Sequence, residues 1–229
     1  MNPVEAKLIA DFLLAEMALE APTTTRVFGA VPAGRLDYKP DPASKTALGL
    51  LRHITLEDEW LLTAVANGQF VPPPDDSDAC GIMTPEDAIA RYNKRIPPAM
   101  ERVRALSGDE LVRQIDMFGV MQLPAVNFLS LTVKYSVHHR AQLSTYLRAM
   151  GGKVPGIYGP SADTTRKQST RLSLCQGNPA DGRTRRGALS PRSANGSCRF
   201  SRITRHSSLP FRSTGSLCAK LSRSRPQAT

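Results

Sequence analysis

Apolar side chains recur at intervals of three and four as far as about residue 162, with almost no alternating pattern, so the chain predicts helices. The first predicted helix covers residues 3–30. Pro3 suits its opening turn, and Leu8, Phe12, Leu13 and Met17 recur at helical spacing. Pro22 lies inside it and is expected to kink or divide it. The stretch "VPAGRLDYKPDPASK" then reads as a loop, with three prolines and a glycine as breakers. A second helix starts near Ser44 or Thr46 and runs to about Asn67, ended by Gly68 and "VPPPDDSD". The third opens on "TPEDAIARY": Thr84 caps it, Pro85 takes the first position, and Glu86 and Asp87 face the positive helix end. It runs to about Leu106, with "IPP" at 96–98 expected to bend it. "SGDELVRQI" reads as a short helical turn and "MFGVMQL" as an irregular or briefly extended link. Pro124 opens a fourth helix that ends near Met150, before Gly151 and Gly152. Four helices of roughly 20–28 residues, each ~30–40 Å long, predict an all-α fold, a four-helix bundle. The long proline-rich link between the second and third excludes a plain series of tight hairpins. No internal repeat is present.

Charge divides the chain where the periodicity stops. The net charge of +10 is not shared: residues 1–162 carry 16 Lys and Arg against 18 Asp and Glu, a net of −2. Residues 163–229 carry 14 basic groups against Asp163 and Asp181, a net of +12. Two regions are therefore expected, a helical domain at 1–162 and an Arg/Ser-rich tail at 163–229. The tail holds isolated apolar residues without a period, a composition expected to be disordered. A basic arm can bind nucleic acid weakly, but Phe200 and Phe211 are its only aromatics for stacking. Nucleic acid is the least favoured partner. Arg, Ser, Pro, Gly and scattered Cys are also what GC-rich DNA yields when read out of frame, so a frameshift near codons 162–166 is expected. Cys80 is the one cysteine before residue 163, which gives no disulfide framework and fits a reducing compartment. The start "MNPVEAK" lacks a signal-peptide design, and no apolar run approaches the roughly 18 residues of a membrane span. A cytoplasmic protein is expected.

Candidate chemistry concentrates on three of the four histidines: His53, His138 and His139. On the fourth helix Phe128, Thr132, Tyr135, His139, Gln142 and Tyr146 step by three or four, a stripe expected to face inward. His138 is turned about 100° away from it. On the second helix Leu50, His53, Glu57, Trp60 and Ala64 form another stripe. Facing helices are where bundles build metal sites, and a carboxylate such as Glu57 can serve as a ligand or support a ligating histidine. A lone inward histidine is more often a satisfied core residue, and spacing alone leaves both readings open.

Two motifs in order, "LDYKPDPASKTALGLLRHITLEDEWL" and "VHHRAQLSTYLRAMGGKVPGIYGPSAD", resemble the DinB/YfiT-like superfamily of metal-dependent enzymes over about residues 5–162. The resemblance implies a divalent metal, zinc or nickel, held by three histidines. The first matches His53. The other two, four residues apart on the last helix, match His139 and position 135, where this chain has Tyr135. A phenol with a usual pKa of about 10 is a poor substitute for an imidazole. The resemblance further implies a small-molecule substrate, with a low-molecular-weight thiol such as bacillithiol or mycothiol as a co-substrate in characterised relatives. It also implies a homodimer. Three functions follow: a metal-dependent thiol S-transferase or hydrolase, a catalytically silent bundle that binds a small molecule, and nucleic-acid binding through the tail.

Overall fold

The computed structural model describes residues 1–164. They fall in a single compact unit. The expectations for the basic tail fall outside the described residues, apart from its first two positions.

The helices are α1 (Pro3–Gly29), α2 (Ala47–Asn67), α3 (Pro85–Arg104), the short α4 (Gly108–Val112) and α5 (Ala125–Ala149). Each start has a local cause. Asn2 and Glu5 form a reciprocal capping box on α1, as do Thr84 and Asp87 on α3 and Ser107 and Glu110 on α4. Thr46 caps α2 by accepting from the Gly49 amide. Gly68 ends α2 with φ of 68°, a left-handed conformation that favours glycine. Pro22 does not divide α1, and Pro97 and Pro98 do not divide α3. The link expected to be briefly extended forms an antiparallel hairpin, β1 (Gln114–Met117) and β2 (Met121–Pro124).

The four long helices form a ring in which α2 packs on α3 and α5, and α1 packs on the same two. Thus α1 lies diagonally across from α2. That is why 17 residues, from 30 to 46, connect them where a tight turn would not reach. The core holds Leu14 and Phe28 from α1, Leu50, Leu51, Ile54, Leu61 and Leu62 from α2, Ile96 from α3 and Phe128 from α5. Phe28 meets Tyr92 edge-on with ring centres 5.8 Å apart. The proline-rich link is tied down by Arg52, almost buried on α2. Its guanidinium donates to the Ile82 carbonyl at 2.7 Å and pairs with Asp78 at 2.7 Å. Trp60 donates to the Val71 carbonyl at 2.9 Å.

Two helix faces differ from the sequence reading. On α1 the core positions are Ala6, Ala10, Leu14 and Met17, whereas Leu8 and Phe12 are exposed. Alanines there let the helix axes approach closely. On α5 the deepest line runs through Leu129, Thr132, Ser136, Arg140, Leu143 and Leu147; Tyr135, His139 and Gln142 are only half-buried.

Gly108 starts α4 against the beginning of α1, and a Cβ there would collide with the Pro3 carbonyl. Gly108→Ala is expected to lower the unfolding free energy by about 2 kcal/mol through overpacking. A urea melt reads it, and an unchanged midpoint would show that α4 is free to shift.

Candidate metal centre

His53 and His139 meet across the seam between α2 and α5. His53 is buried at 3% exposure, because its position on α2 falls between Leu50 and Glu57 on the face turned to α5. The two Nε2 atoms stand 3.1 Å apart, and the rings are nearly perpendicular at 80°. Each ring presents its other nitrogen elsewhere. His139 Nδ1 lies 2.8 Å from the Gln142 side-chain oxygen, three residues along α5. His53 Nδ1 lies 3.7 Å from a Glu57 carboxylate oxygen, one turn along α2. Glu57 thus sits beside the nitrogen turned away from His139.

The remaining candidates surround this pair. The Tyr135 ring lies edge-on to His139 with centres 5.4 Å apart. His138 is exposed but still neighbours His139, with ring centres 4.9 Å apart. Lys45, paired with Asp76 at 3.0 Å, stands near both imidazoles. Among the described residues, no group of three or more His, Cys, Asp or Glu side chains is arranged to hold a metal ion.

Electrostatics keep the imidazoles neutral. Burial, then the neighbouring His139 and Lys45, lowers His53 to a pKa of about 3. Burial also lowers His139, against the opposing effect of its hydrogen bond to Gln142. Neutral imidazoles are the ligating form. With His139 Nδ1 donating to Gln142, its Nε2 carries a lone pair facing His53. If His53 Nδ1–H likewise faces the Glu57 carboxylate, two lone pairs meet at 3.1 Å, and a cation between them relieves the repulsion. The alternative is a proton on His53 Nε2, which leaves an unprotonated Nδ1 facing that carboxylate.

The Nε2 separation of 3.1 Å is the one feature of the pair that matches a shared divalent ion. Two nitrogens bound tetrahedrally at 2.0–2.1 Å from zinc stand ~3.3 Å apart, close to the distance here. The donor set nevertheless falls one imidazole short of three.

Behind the seam lies a polar layer that spacing did not single out. Arg140, 1% exposed, pairs with Glu20 at 2.5 Å and donates to Thr24 Oγ1 at 3.2 Å and to the Tyr158 hydroxyl at 2.8 Å. Asp58, also 1% exposed, accepts from the Tyr92 hydroxyl at 2.9 Å. Burial pushes its carboxyl up to about 7, although Ser136, Tyr92 and Arg140 all pull the other way. All four long helices contribute to this layer. A signal did exist: Asp58 interrupts an apolar line at i+4 from Ile54, and Arg140 follows Thr132 and Ser136 on a line that returns to Leu143 and Leu147.

Comparison with known proteins supports the same architecture. A model of the DinB family matches residues 7–171. The chain is 23% identical over 154 residues to the uncharacterised protein YrdA of Bacillus subtilis, covering 67% of this chain and 90% of that protein. Its fold is similar to crystal structures of two DinB-like proteins. One, from Bacillus cereus, has a TM-score of 0.55 and 21% identity over 64% of this chain and 95% of that one. The other, from Bacillus subtilis, has a TM-score of 0.51 and 19% identity over 65% and 97%. With a helical bundle of this topology and a family match over most of its length, the chain belongs to the DinB family.

Proposed function

We propose that this bundle binds a divalent cation, zinc or nickel, on His53 and His139, and acts on a small molecule at the α2/α5 seam as a thiol S-transferase or hydrolase. The observation that carries the reading is the convergence of two neutral Nε2 atoms whose outer nitrogens face Gln142 and Glu57. Outer partners of this kind fix the ring orientation and raise ligand basicity in metal sites. A divalent ion held there would supply Lewis acidity, which favours thiolate over thiol near neutral pH. His53 and His139 would be its ligands. Tyr135 lies beside His139, with ring centres 5.4 Å apart, and solvent or substrate would have to supply the remaining donors. The same direct approach of the two rings also favours a second reading, in which a proton bridges them and the bundle is a silent small-molecule binder.

Metal titration of the full chain by calorimetry separates the two. The first reading expects nickel or zinc binding that is lost in both His53→Ala and His139→Ala. Tyr135→His, which places a second imidazole one turn from His139, should raise affinity by at least about tenfold, or 1.4 kcal/mol. Wild-type affinity no better than that of His53→Ala would leave the silent bundle as the function.

A further inference from the structure

The seam between α1 and α3 lies across the ring of helices from the α2/α5 seam that holds His53 and His139. It is not closed: a cleft of about 500 Å³ runs along it, within the range that holds a small molecule. The floor is apolar, made of buried Ile96, Met100 and the ring of Tyr92. The Tyr92 hydroxyl is already engaged by Asp58 at 2.9 Å. Ala18 and Ala21 on α1 are too small to fill the space above it.

Each wall of the cleft carries a proline in mid-helix, Pro22 on α1 and Pro97 on α3. Proline has no N–H, so Pro22 leaves the Ala18 carbonyl without its donor at i+4, and Pro97 does the same to Asn93. Ala18 and Asn93 both line the cleft. Thr25, on the same wall as Pro22, directs its hydroxyl proton at the carbonyls of Pro22 and Ala21, at 3.1 and 3.3 Å, which leaves its oxygen free to accept. The charged residues at one end, Glu101 and Arg104, are paired with each other. Proline is the least favourable residue in a helix interior. Two of them on facing walls of one cleft point to a use for the carbonyls they release.

We propose that this cleft binds a neutral, mostly apolar small molecule, of the nitrogen-heterocycle type, that donates N–H hydrogen bonds to the released carbonyls of Ala18 and Asn93. The apolar floor selects a hydrophobic body. The mutual pairing of Glu101 and Arg104 leaves no unbalanced charge at the cleft to recruit an ion. The acceptors on both walls call for a ligand that donates, because an acceptor left dry beneath a bound apolar ring is costly. The cleft shares no residue with the histidine seam, so its occupancy does not depend on a bound cation.

Indole, an apolar ring with one N–H, is the probe, followed by backbone amide NMR shifts on the full chain. Saturable shifts centred on residues 18–25 and 92–104 are expected at indole concentrations up to about 10 mM. 3-Methylindole keeps the N–H and should bind like indole. 1-Methylindole carries the same extra methyl in place of the N–H and should bind at least about tenfold more weakly. Pro22→Ala and Pro97→Ala each restore a missing helix amide. Both are expected to raise the thermal midpoint while weakening indole binding at least about threefold. A purely structural proline would not move the two readouts in opposite directions. Ala21→Trp fills the cleft and should abolish binding, and Ala18→Phe replaces it as the blocking variant should it fail to fold. Absence of saturable shifts, or shifts centred on the α2/α5 seam, overturns the proposal. So does equal affinity for indole and 1-methylindole, or wild-type indole affinity in either proline variant.

Discussion

Arg140→Met is expected to lower the stability of the bundle by about 3–5 kcal/mol, the range for breaking a buried ion pair by removing one partner. The guanidinium is the largest of the fully buried side chains, and its fork is divided among groups far apart in sequence. Nη1 faces Glu20 and Thr24 on α1, while Nη2 bonds the Tyr158 hydroxyl in the segment after α5. Methionine fills comparable space but supplies no charge, which leaves Glu20 partly buried and unpaired. The same logic predicts a partial rescue. Adding Glu20→Gln removes the orphaned charge, so the double variant should be more stable than Arg140→Met alone. Chemical denaturation of the wild type, Arg140→Met, Glu20→Gln and the double variant measures the cycle. Additive losses would show that the contact at 2.5 Å contributes packing and no electrostatic coupling.

The second large effect concerns pH, where two buried groups oppose each other. Asp58 has its folded pKa raised from 3.8 to about 7. Its contribution to stability is therefore complete below about pH 4 and is lost as pH rises through 7, because the folded state holds a proton that the unfolded state has released. His53 has its folded pKa lowered from 6.5 to about 3. Its contribution is complete above pH 6.5 and is lost as pH falls toward 3, because the unfolded state takes up a proton that the folded state refuses. Between about pH 4 and 6.5 each group changes stability by ~1.4 kcal/mol per pH unit, with opposite sign. The pair therefore largely cancels. Asp58→Asn should expose the histidine side, so that stability falls steeply on acidification, with lowered His139 adding to the same trend. His53→Gln should tilt the profile the other way by up to about 3–4 kcal/mol across the window. Urea unfolding at pH 4.5, 5.5 and 6.5 reads both slopes. A His53→Gln profile that does not fall as pH rises from 4.5 to 6.5 would mean that Asp58 is ionised in the folded protein.

The sequence by itself determined the helices, their caps and the links between them. Thr84–Pro85, Pro3, Gly68 and the prolines of the connections act on their own turn of backbone, so their effect is readable without knowing the fold. It also determined which side chains are available for chemistry, including the tyrosine at position 135. Only the tertiary structure decided which faces turn inward. On α1, periodicity offers two apolar stripes, and the choice falls to Ala6 and Ala10 because their small side chains admit neighbouring helices. On α5 a charged residue took a fully buried position. An arginine is tolerated there because Glu20, 120 residues earlier in the chain, is delivered to it by α1. The meeting of His53 with His139 is equally non-local, 86 residues apart and set by the seam between α2 and α5. A 3.6-residue period is a property of one segment. The partner that makes a polar group acceptable in the core, or turns two histidines toward one point, comes from another helix.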